Sequence, residues 1–459
     1  MVVQHNMQAA NANRMLNVTT SAQSKSTEKL SSGYRINRAA DDAAGLTISE
    51  KMRKQIRGLD QASTNAQDGV SSVQTAEGAL TEVHSMLQRM NELATQAANG
   101  TNSKDSDRQA IQDEIDQLTT EIDRVSETTK FNETYLLKGE AGTKTINMKA
   151  HDAGLKGTLT DNGDGTATFV MDSLKDGDSV SIGGKTYTIG SKKADVVAKI
   201  TAAGQTFTVN GQEITTVDTY NDKDTDQKAG KYTVADAKAL VKDGATVKVG
   251  TNEYKVMTDK GGDGIDDTDA SVISKDVAYN LASKELLAAN QIGDTKGSAK
   301  VENTNAKAAD GSFKITTGQA DVANSLSFSL HVGADADMTN KIQVNIDAMD
   351  SASLGIKGLN VKDASGNAAT YAVDAISDAI SKVSSQRSSL GAVQNRLEHT
   401  INNLDNVVEN TTTAESRIRD TDMAEEMVNY SKNNILAQAG QSMLAQANQS
   451  NQGVLSLLQ

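Results

Sequence analysis

Apolar residues near the start of the chain repeat every seven positions, in two sets that are offset by three residues. The first set is Leu59, Ala66, Val73, Leu80, Leu87 and Ala94, and the second is Ala62, Gly69, Ala76, Val83, Met90 and Ala97. This spacing is typical of a coiled-coil seam and predicts one long, uninterrupted helix.

A second helix is predicted directly after the first. Gly100 is a helix-ending signal, and Ser106 with Gln109 has the spacing of a capping box that starts a new helix. Apolar residues then recur at intervals of four and three, at Ile111, Ile115, Leu118, Ile122 and Val125. We therefore expect an antiparallel partner for the first helix.

The other end of the chain carries a similar heptad pattern. Its positions are Val383, Leu390, Leu397, Leu404 and Ile418, followed three residues later by Val393, Val407 and Ala414. Each large apolar side chain gains ~1.5–3 kcal/mol when it is removed from water. We expect the two ends to pack together, because each would otherwise leave its seam exposed.

The middle of the chain, roughly residues 141–369, has a different pattern. Apolar and polar residues alternate between Gly-rich turns in "DSVSIGGKTYTIG", "QTFTVNGQEITT" and "ATVKVGTNEYKVMT", which predicts β-hairpins. The stretches that begin at Lys175 and Lys242 are also internal repeats. The predicted fold class is α+β: a long antiparallel, coiled-coil-like helical bundle formed by both chain ends, with an inserted β-rich outer region of one or two subdomains.

Both termini are almost uncharged. Arg14 is the only Lys, Arg, Asp or Glu in the first 24 residues, and Lys432 is the only one from Tyr430 onwards. Such segments bury too little apolar surface to fold alone, so we expect them to be disordered in the monomer and helical in an assembly of many copies. Frayed tails are the alternative. The apolar spacing favours conditional helices, with packing positions at Met423, Met427, Ile435, Met443 and Leu455.

The composition of the chain argues against several classes of function. The chain has no Pro, which suits long helices, and no Cys, which excludes disulfides and thiol chemistry. A net charge of −14 argues against a nucleic-acid partner, and no apolar run is long enough to insert into a membrane. The first residues lack the features of a secretory signal, so we expect any export to use another route, without a cleaved signal peptide.

The sequence contains few residues in the patterns that are typical of an enzyme active site or a metal site. The histidines are scattered, and no H-E-x-x-H, G-x-S-x-G or phosphate-loop motif is present. The acidic runs from Asp161 and Gly261 lack the residue that completes a calcium loop, and Asp-Gly pairs favour tight turns. We therefore expect no enzymatic activity, no metal and no cofactor. The histidines are His5, His84, His151, His331 and His399.

Several long motifs at the two ends resemble the bacterial flagellins. They are "LSSGYRINRAADDAAGLTISEKMR", "NAQDGVSSVQTAEGALTEVHSMLQRMNELATQAANGT", "EIDRVSETTKFN" and "AESRIRDTDMAEEMVNYSKNNILAQAGQSMLAQAN". The middle shows no such resemblance. The likeness implies an inner tube of residues 1–45 and 420–459, an outer helical rod of 46–140 and 370–419, and a surface-exposed insertion of 141–369.

The same resemblance implies the function and the partners. Flagellins polymerise into the extracellular flagellar filament, which acts as a propeller. They are exported through the flagellar type III channel with the help of a chaperone, and they meet the filament cap and the hook–filament junction proteins. The alternative is a coiled-coil surface adhesin with a β-rich ligand-binding head, which would form short oligomers and would not need uncharged termini.

Four charged residues lie where the inner and outer helices of this arrangement join: Arg35, Arg38, Asp41 and Asp42. We hypothesise that they lock the connector for assembly when neighbouring subunits supply partners. The alternative is that Asp41 or Asp42 caps the long helix and the arginines are solvated.

A host receptor is a further partner implied by the resemblance. Many flagellins are sensed by an animal Toll-like receptor, and "QRMNELA" and "IQDEI" match the recognised surface at Arg89, Leu93 and Glu114. Interpreted from the pattern alone, the same residues serve subunit packing.

Overall fold

The computed structural model describes residues 6–99, 105–303, 311–363 and 365–457. The chain divides into two compact units. Unit 1 consists of Met1–Ser71, Ser329–Val344 and Ala392–Gln459, and unit 2 consists of Ser72–Phe328 and Asn345–Gly391.

The helices, in chain order, are α1 (Met7–Ser32), α2 (Ala43–Ala98), α3 (Asp105–Thr128), α4 (Lys193–Val197), α5 (Lys223–Lys228), α6 (Val234–Leu240), α7 (Lys275–Asn290), α8 (Ser351–Leu354), α9 (Asn367–Arg419) and α10 (Met423–Leu457).

The strands are β1 (Lys130–Phe131), β2 (Thr134–Tyr135), β3 (Glu140–Asn147), β4 (Gly157–Asp161), β5 (Thr166–Met171), β6 (Ser179–Ile182), β7 (Lys185–Ser191), β8 (Thr206–Val209), β9 (Gln212–Val217), β10 (Lys231–Thr233), β11 (Thr246–Val249), β12 (Asn252–Val256), β13 (Val272–Ile273), β14 (Lys300–Asn303), β15 (Ser312–Thr316), β16 (Gln319–Asn324), β17 (Leu326–His331) and β18 (Lys341–Ile346).

The predicted fold class is confirmed, because α2 and α9 form the antiparallel helical bundle and strands fill the middle of the chain. Every predicted seam position of α2 is buried except Leu59, which is half-buried. On α9, Val383, Leu390, Leu397 and Leu404 are buried as well. Val407 is 40% exposed, so its predicted place in the seam is wrong.

The start of α3 differs from the prediction. The helix begins at Asp105, which puts Ser106 inside its first turn rather than at the cap. The Ser106 hydroxyl donates to the Asp107 carboxylate at 3.3 Å, and the Gln109 amide donates to Asp113. The predicted capping box is therefore wrong. Gly100, the predicted end of the first helix, lies outside the described residues, and α2 ends at Ala98.

The three predicted hairpins form as β6–β7, β8–β9 and β11–β12. They combine in one sheet in the order β10-β9-β8-β11-β12-β7-β13, in which β6 also pairs with β7. A second sheet has the order β14-β15-β5-β4. The hydrophobic residues of unit 2 form two separate clusters in this region, one around Phe169 and Phe313 and the other around Phe207 and Val247.

The internal repeat has three copies rather than two. A glycine N–H at the start of each hairpin donates to a carbonyl oxygen of its second strand, at 2.7, 2.9 and 2.6 Å for Gly177 to Ile189, Gly244 to Val256 and Gly204 to Thr216. The third copy, β8–β9, is hard to detect in the sequence because Thr216 occupies the buried position of Ile189 and Val256. Its hydroxyl is satisfied by donation to Ala202 O at 2.7 Å.

In unit 1, the hairpin β17–β18 packs against α2 and α9. Val332 and Ile342 of the hairpin form a hydrophobic cluster with Ala66 and Leu397. Gly69 provides the space for this contact, because a Cβ at that position would lie 2.2 Å from Cδ1 of Leu330. The hairpin is thus held close to the helix backbone.

The acidic runs form turns. The Asp161 carboxylate accepts from the Gly163 N–H, and the Asp164 carboxylate accepts from Thr166, which closes the turn between β4 and β5. The Asp259 carboxylate likewise accepts from the N–H groups of Gly262 and Gly264. None of the helices in the described part of the chain has an apolar stretch long enough to span a bilayer.

Candidate assembly surface

The terminal helices α1 and α10 pack against each other in antiparallel orientation within unit 1. The Asn6 amide donates to Ala447 O at 3.2 Å at one end of the pair, and Lys29 lies 3.6 Å from Glu426 at the other. Gly440 allows a close approach between them, since a Cβ there would lie 3.3 Å from Leu16. Both termini are therefore helical in the single chain that the structure describes, and their disorder in the free subunit stays a prediction.

This helix pair leaves many large apolar side chains in solvent. Met7, Met15 and Val18 of α1 are 69%, 61% and 60% exposed. Four of the predicted packing residues are exposed as well, at 48%, 55%, 67% and 62% for Met423, Met427, Ile435 and Met443. The side chain of Leu455 lies outside the described residues. Most of the strongly exposed large apolar side chains in the described ranges belong to α1 and α10.

A groove runs between the same two helices. It has a volume of 860 Å³ and is lined by apolar and amide side chains, among them Met15, Leu16, Leu436 and Met443. Exposed apolar residues beside such a groove are costly in water, because each leaves area that burial would stabilise by ~25 cal/mol per Å². The surface is therefore suited to contact with another protein chain.

Two connectors meet at the other end of this pair. The connector from α1 to α2 begins with Gly33, whose N–H donates to Lys29 O at 2.8 Å and whose φ is +78°. Tyr34 then pairs with Asp420 in an antiparallel bridge, and the Arg35 N–H donates to Arg419 O at 2.6 Å. The join between α1 and α2 is thus hydrogen-bonded to the join between α9 and α10.

Arg35 and Arg419 strengthen this crossing. The Arg35 guanidinium donates to the carbonyl oxygen of Ile418 at 2.5 Å, at the end of α9, where a cation also meets the negative end of the helix dipole. The Arg419 guanidinium lies 4.7 Å from the ring centroid of Tyr34 and donates to Glu50 at 2.8 Å. The guanidinium groups of Arg35 and Arg419 therefore lie at the C-terminal end of α9, next to the hydrogen bonds that join the two connectors.

The remaining connector charges also have partners in the same chain. The Asp42 carboxylate accepts from the Gly45 N–H at 2.8 Å and so caps α2, as the alternative interpretation expected. The Asp41 carboxylate accepts from the N–H groups of Asn37 and Arg38, and the hydrogen bond from Arg38 is the main cause of its lowered pKa. Arg38 pairs with Glu28 at 2.9 Å. A neighbouring subunit is therefore not needed to pair these charges, and their role in assembly stays a prediction.

Sequence reasoning missed polar contacts between α2 and α9. Ser49 donates to Glu415 at 2.7 Å and Ser63 donates to Asp405 at 3.1 Å, both within unit 1. Both serines are buried. Their separation by two heptads is a signal that a search for apolar residues alone overlooks.

The residues matched to a receptor surface lie in unit 2. The Arg89 guanidinium donates to Glu114 at 2.9 Å and to Glu92 at 3.2 Å, which joins α2 to α3. Arg89 and Glu114 are about half exposed, at 51% and 43% for their side chains. Leu93 is only 2% exposed, so the structure corrects its proposed role as a direct receptor contact: it is a core residue.

Two family models match the chain. The bacterial flagellin N-terminal helical region matches residues 3–142, and the bacterial flagellin C-terminal helical region matches residues 373–458. A solved structure, FliC from Burkholderia pseudomallei, aligns with 72% of this chain and 99% of its own at 20% identity. Its TM-score of 0.25 is too low to inform the arrangement.

Curated relatives align over the whole length. The flagellin of Clostridium tyrobutyricum is 40% identical over 98% of this chain and 100% of its own. The flagellin of Bacillus subtilis is 38% identical over 100% of both chains, and polar flagellin B/D of Vibrio parahaemolyticus is 36% identical over 99% of both. The two family models leave residues 143–372 unmatched, whereas these whole-length alignments run through them. The chain belongs to the bacterial flagellin family.

Proposed function

We propose that this protein is the structural subunit of a bacterial flagellar filament and that it polymerises through its terminal helices. The observation that supports the proposal most is the concentration of exposed apolar side chains on α1 and α10, in a chain with flagellin relatives along its whole length. Contacts between unlike patches of identical subunits produce an open helix unless the rotation between neighbouring subunits completes a ring. The role is mechanical rather than catalytic.

The parts of the chain have distinct places in this filament. Residues 1–45 and 420–459 form the inner tube, and residues 46–140 and 370–419 form the outer helical rod. The β-rich region 141–369 projects from the surface. Residues Arg35, Arg38, Asp41 and Asp42 fix the join between the inner and outer helices.

Assembly couples folding to association. The sparsely charged termini gain too little from α1–α10 packing to offset ~1–2 kcal/mol of backbone entropy per residue, so they become helical only among neighbouring copies. Met423, Met427, Ile435, Met443 and Leu455 supply apolar area for those contacts. Small, uncharged residues between them allow close packing without stranding a charge.

The wider set of partners follows from family membership. The chain leaves the cell unfolded through the flagellar export channel, is held beforehand by an export chaperone, and meets the filament cap and the hook–filament junction proteins. Its final location is the extracellular flagellum. A host Toll-like receptor binds the surface that includes Arg89 and Glu114, with Leu93 supporting that surface from beneath.

Seeded polymerisation tests the proposal. Purified protein added to short filament fragments forms long helical filaments in electron micrographs, and the double variant Ile435→Gln with Met443→Gln does not. Glutamine keeps helix propensity while removing apolar area. Met338→Gln is the control, because Met338 is 74% exposed but lies outside the terminal helices. Discrete short oligomers, or equal polymerisation by all three proteins, would favour the adhesin alternative instead.

A further inference from the structure

A small cavity in unit 2 has both polar and apolar side chains on its wall. It has a volume of 390 Å³ and lies between the segment that follows β3, helix α8 and the first half of α9. Five polar residues on its wall carry the inference that follows: Lys149, His151, Ser353, Asp378 and Lys382.

Lys382 lies on the wall of this cavity, and its ammonium group is poorly solvated. Its ammonium group donates to the main-chain carbonyl oxygen of Ser353 and has no carboxylate within 4.0 Å among the described residues. Burial lowers the pKa of Lys382, although the charges of Asp347 and Asp350 act in the opposite direction. An ammonium group has three donors, so two remain for another acceptor.

Two oxygen atoms on the wall are enclosed but lack hydrogen-bond partners. Ser353 is 3% exposed, and its hydroxyl has no partner in the structure. Oδ2 of Asp378 is equally enclosed and makes no hydrogen bond, although Oδ1 accepts from Lys149 at 2.7 Å. The Nε2 atom of His151 is 3.7 Å from Oδ2, beyond hydrogen-bond range. Buried polar atoms without partners are rare in native proteins, so each requires an explanation.

We propose that this cavity binds a hydrogen phosphate group, either as inorganic phosphate or as the end of a phosphate monoester. The ammonium group of Lys382 and the hydroxyl of Ser353 donate to its oxygens, and Oδ2 of Asp378 accepts from its P–OH group. Lys149 offsets the charge of Asp378, because the two form an ion pair. One ligand thereby takes up the free donors of Lys382, the unpaired hydroxyl of Ser353 and the unpaired acceptor of Asp378.

Asp378 makes the site selective. Sulfate has the size and charge of hydrogen phosphate but carries no proton at neutral pH, so it would face the Asp378 carboxylate without a donor. A buried acceptor opposite an anion that cannot donate is strongly unfavourable. We expect sulfate to bind at least about tenfold more weakly than phosphate, given the usual cost of such a mismatch.

Calorimetry on the full-length chain, kept unassembled in dilute buffer, tests this proposal with inorganic phosphate, sulfate and glycerol 2-phosphate. Phosphate or the monoester gives saturable binding, and the stronger of the two identifies the source. Asp378→Asn replaces a carboxylate acceptor with an amide donor. We expect this variant to show a smaller difference in affinity between phosphate and sulfate. Lys382→Gln removes binding of both, whereas Lys248→Gln, on an exposed strand position of the other cluster, changes nothing.

Circular dichroism verifies that each variant is folded before its titration is interpreted. A chain that binds none of the three ions at millimolar concentration holds ordered water only, and the proposal is then wrong. The same conclusion follows if phosphate and sulfate bind equally and Asp378→Asn leaves that ratio unchanged.

Discussion

The connector between α1 and α2 is stabilised residue by residue through contacts inside one chain. Asp42 caps α2, Asp41 holds the preceding turn, and Arg35 covers the end of α9. Such contacts fix the direction in which the terminal helices leave the long ones. The charges at this join therefore act first on the shape of the subunit, and any effect on assembly follows from that shape.

Replacing Asp42 tests the capping role. Asp42→Ala leaves the Gly45 N–H without its acceptor, so the free energy of unfolding falls by about 1 kcal/mol, the usual value of an N-cap. Asp42→Asn retains an acceptor and loses only a small part of that stability. Urea titrations measure both. An equal loss in the two variants would contradict capping, and unchanged polymerisation of Asp42→Ala would remove Asp42 from the assembly residues.

Acid titration tests Asp41. Its pKa is lowered from 3.8 in the folded chain, mainly by the hydrogen bond from the Arg38 N–H. The carboxylate thus contributes stability above pH 3.8 and loses it as the pH falls through the lower, folded value. The difference in unfolding free energy between the wild type and Asp41→Asn shrinks over that range. A difference that is constant with pH would show that the charge of Asp41 is irrelevant.

Arg89 offers a test of receptor recognition. Arg89→Ala removes an exposed guanidinium that also joins α2 to α3, so we expect binding of the chain to the receptor to weaken by about tenfold. Arg124→Ala is a control, because Arg124 is an exposed arginine that pairs with Glu121 within α3 and does not join α3 to α2. Surface plasmon resonance compares the two. Equal binding by both variants would exclude Arg89 from the recognised surface.

At the scale of elements, sequence periodicity predicted the long helices and hairpins well, because burial dictates both periods. The same periodicity did not predict the places where buried polar residues form the contacts. Ser49 and Ser63 are buried in the α2–α9 contact although they are not apolar. Thr216 obscures the third repeat, and the 16-residue helix α7, capped by Ser274, was not predicted. The crossing of the connectors joins residues more than 380 positions apart, and no local pattern indicates such a pairing.

Alanine substitutions at two glycines of α2, Gly69 and Gly78, distinguish the effect of packing on stability from the effect of helix propensity. Gly69→Ala forces Cδ1 of Leu330 in the β17–β18 hairpin to move, and this overpacking offsets the gain in helix propensity, so we expect a net destabilisation of up to about 1 kcal/mol. Gly78 has no atom within 4 Å of a Cβ built on it, so Gly78→Ala stabilises by about 0.5–1 kcal/mol. Thermal unfolding measures both shifts. Stabilisation by Gly69→Ala would contradict the close seating of the hairpin.

For the whole molecule, the sequence indicated the family and the shared role of the two ends. The structure showed which apolar side chains of α1 and α10 remain exposed. The seams of α2 and α9 are satisfied within one chain, but the apolar side chains of α1 and α10 are not. That contrast predicts two levels of stability in the free subunit. The long helices are stable by themselves, and the terminal helices depend on other copies of the chain.

Hydrogen–deuterium exchange on free subunit and on filament measures this difference most directly. In dilute subunit, we predict rapid exchange along α1 and α10 and slow exchange at the buried seam of α2, around Leu80 and Leu87. In the filament, α1 and α10 become as strongly protected as that seam. Slow exchange of α1 and α10 in the free subunit, or unchanged rapid exchange in the filament, would contradict the coupling of folding to assembly.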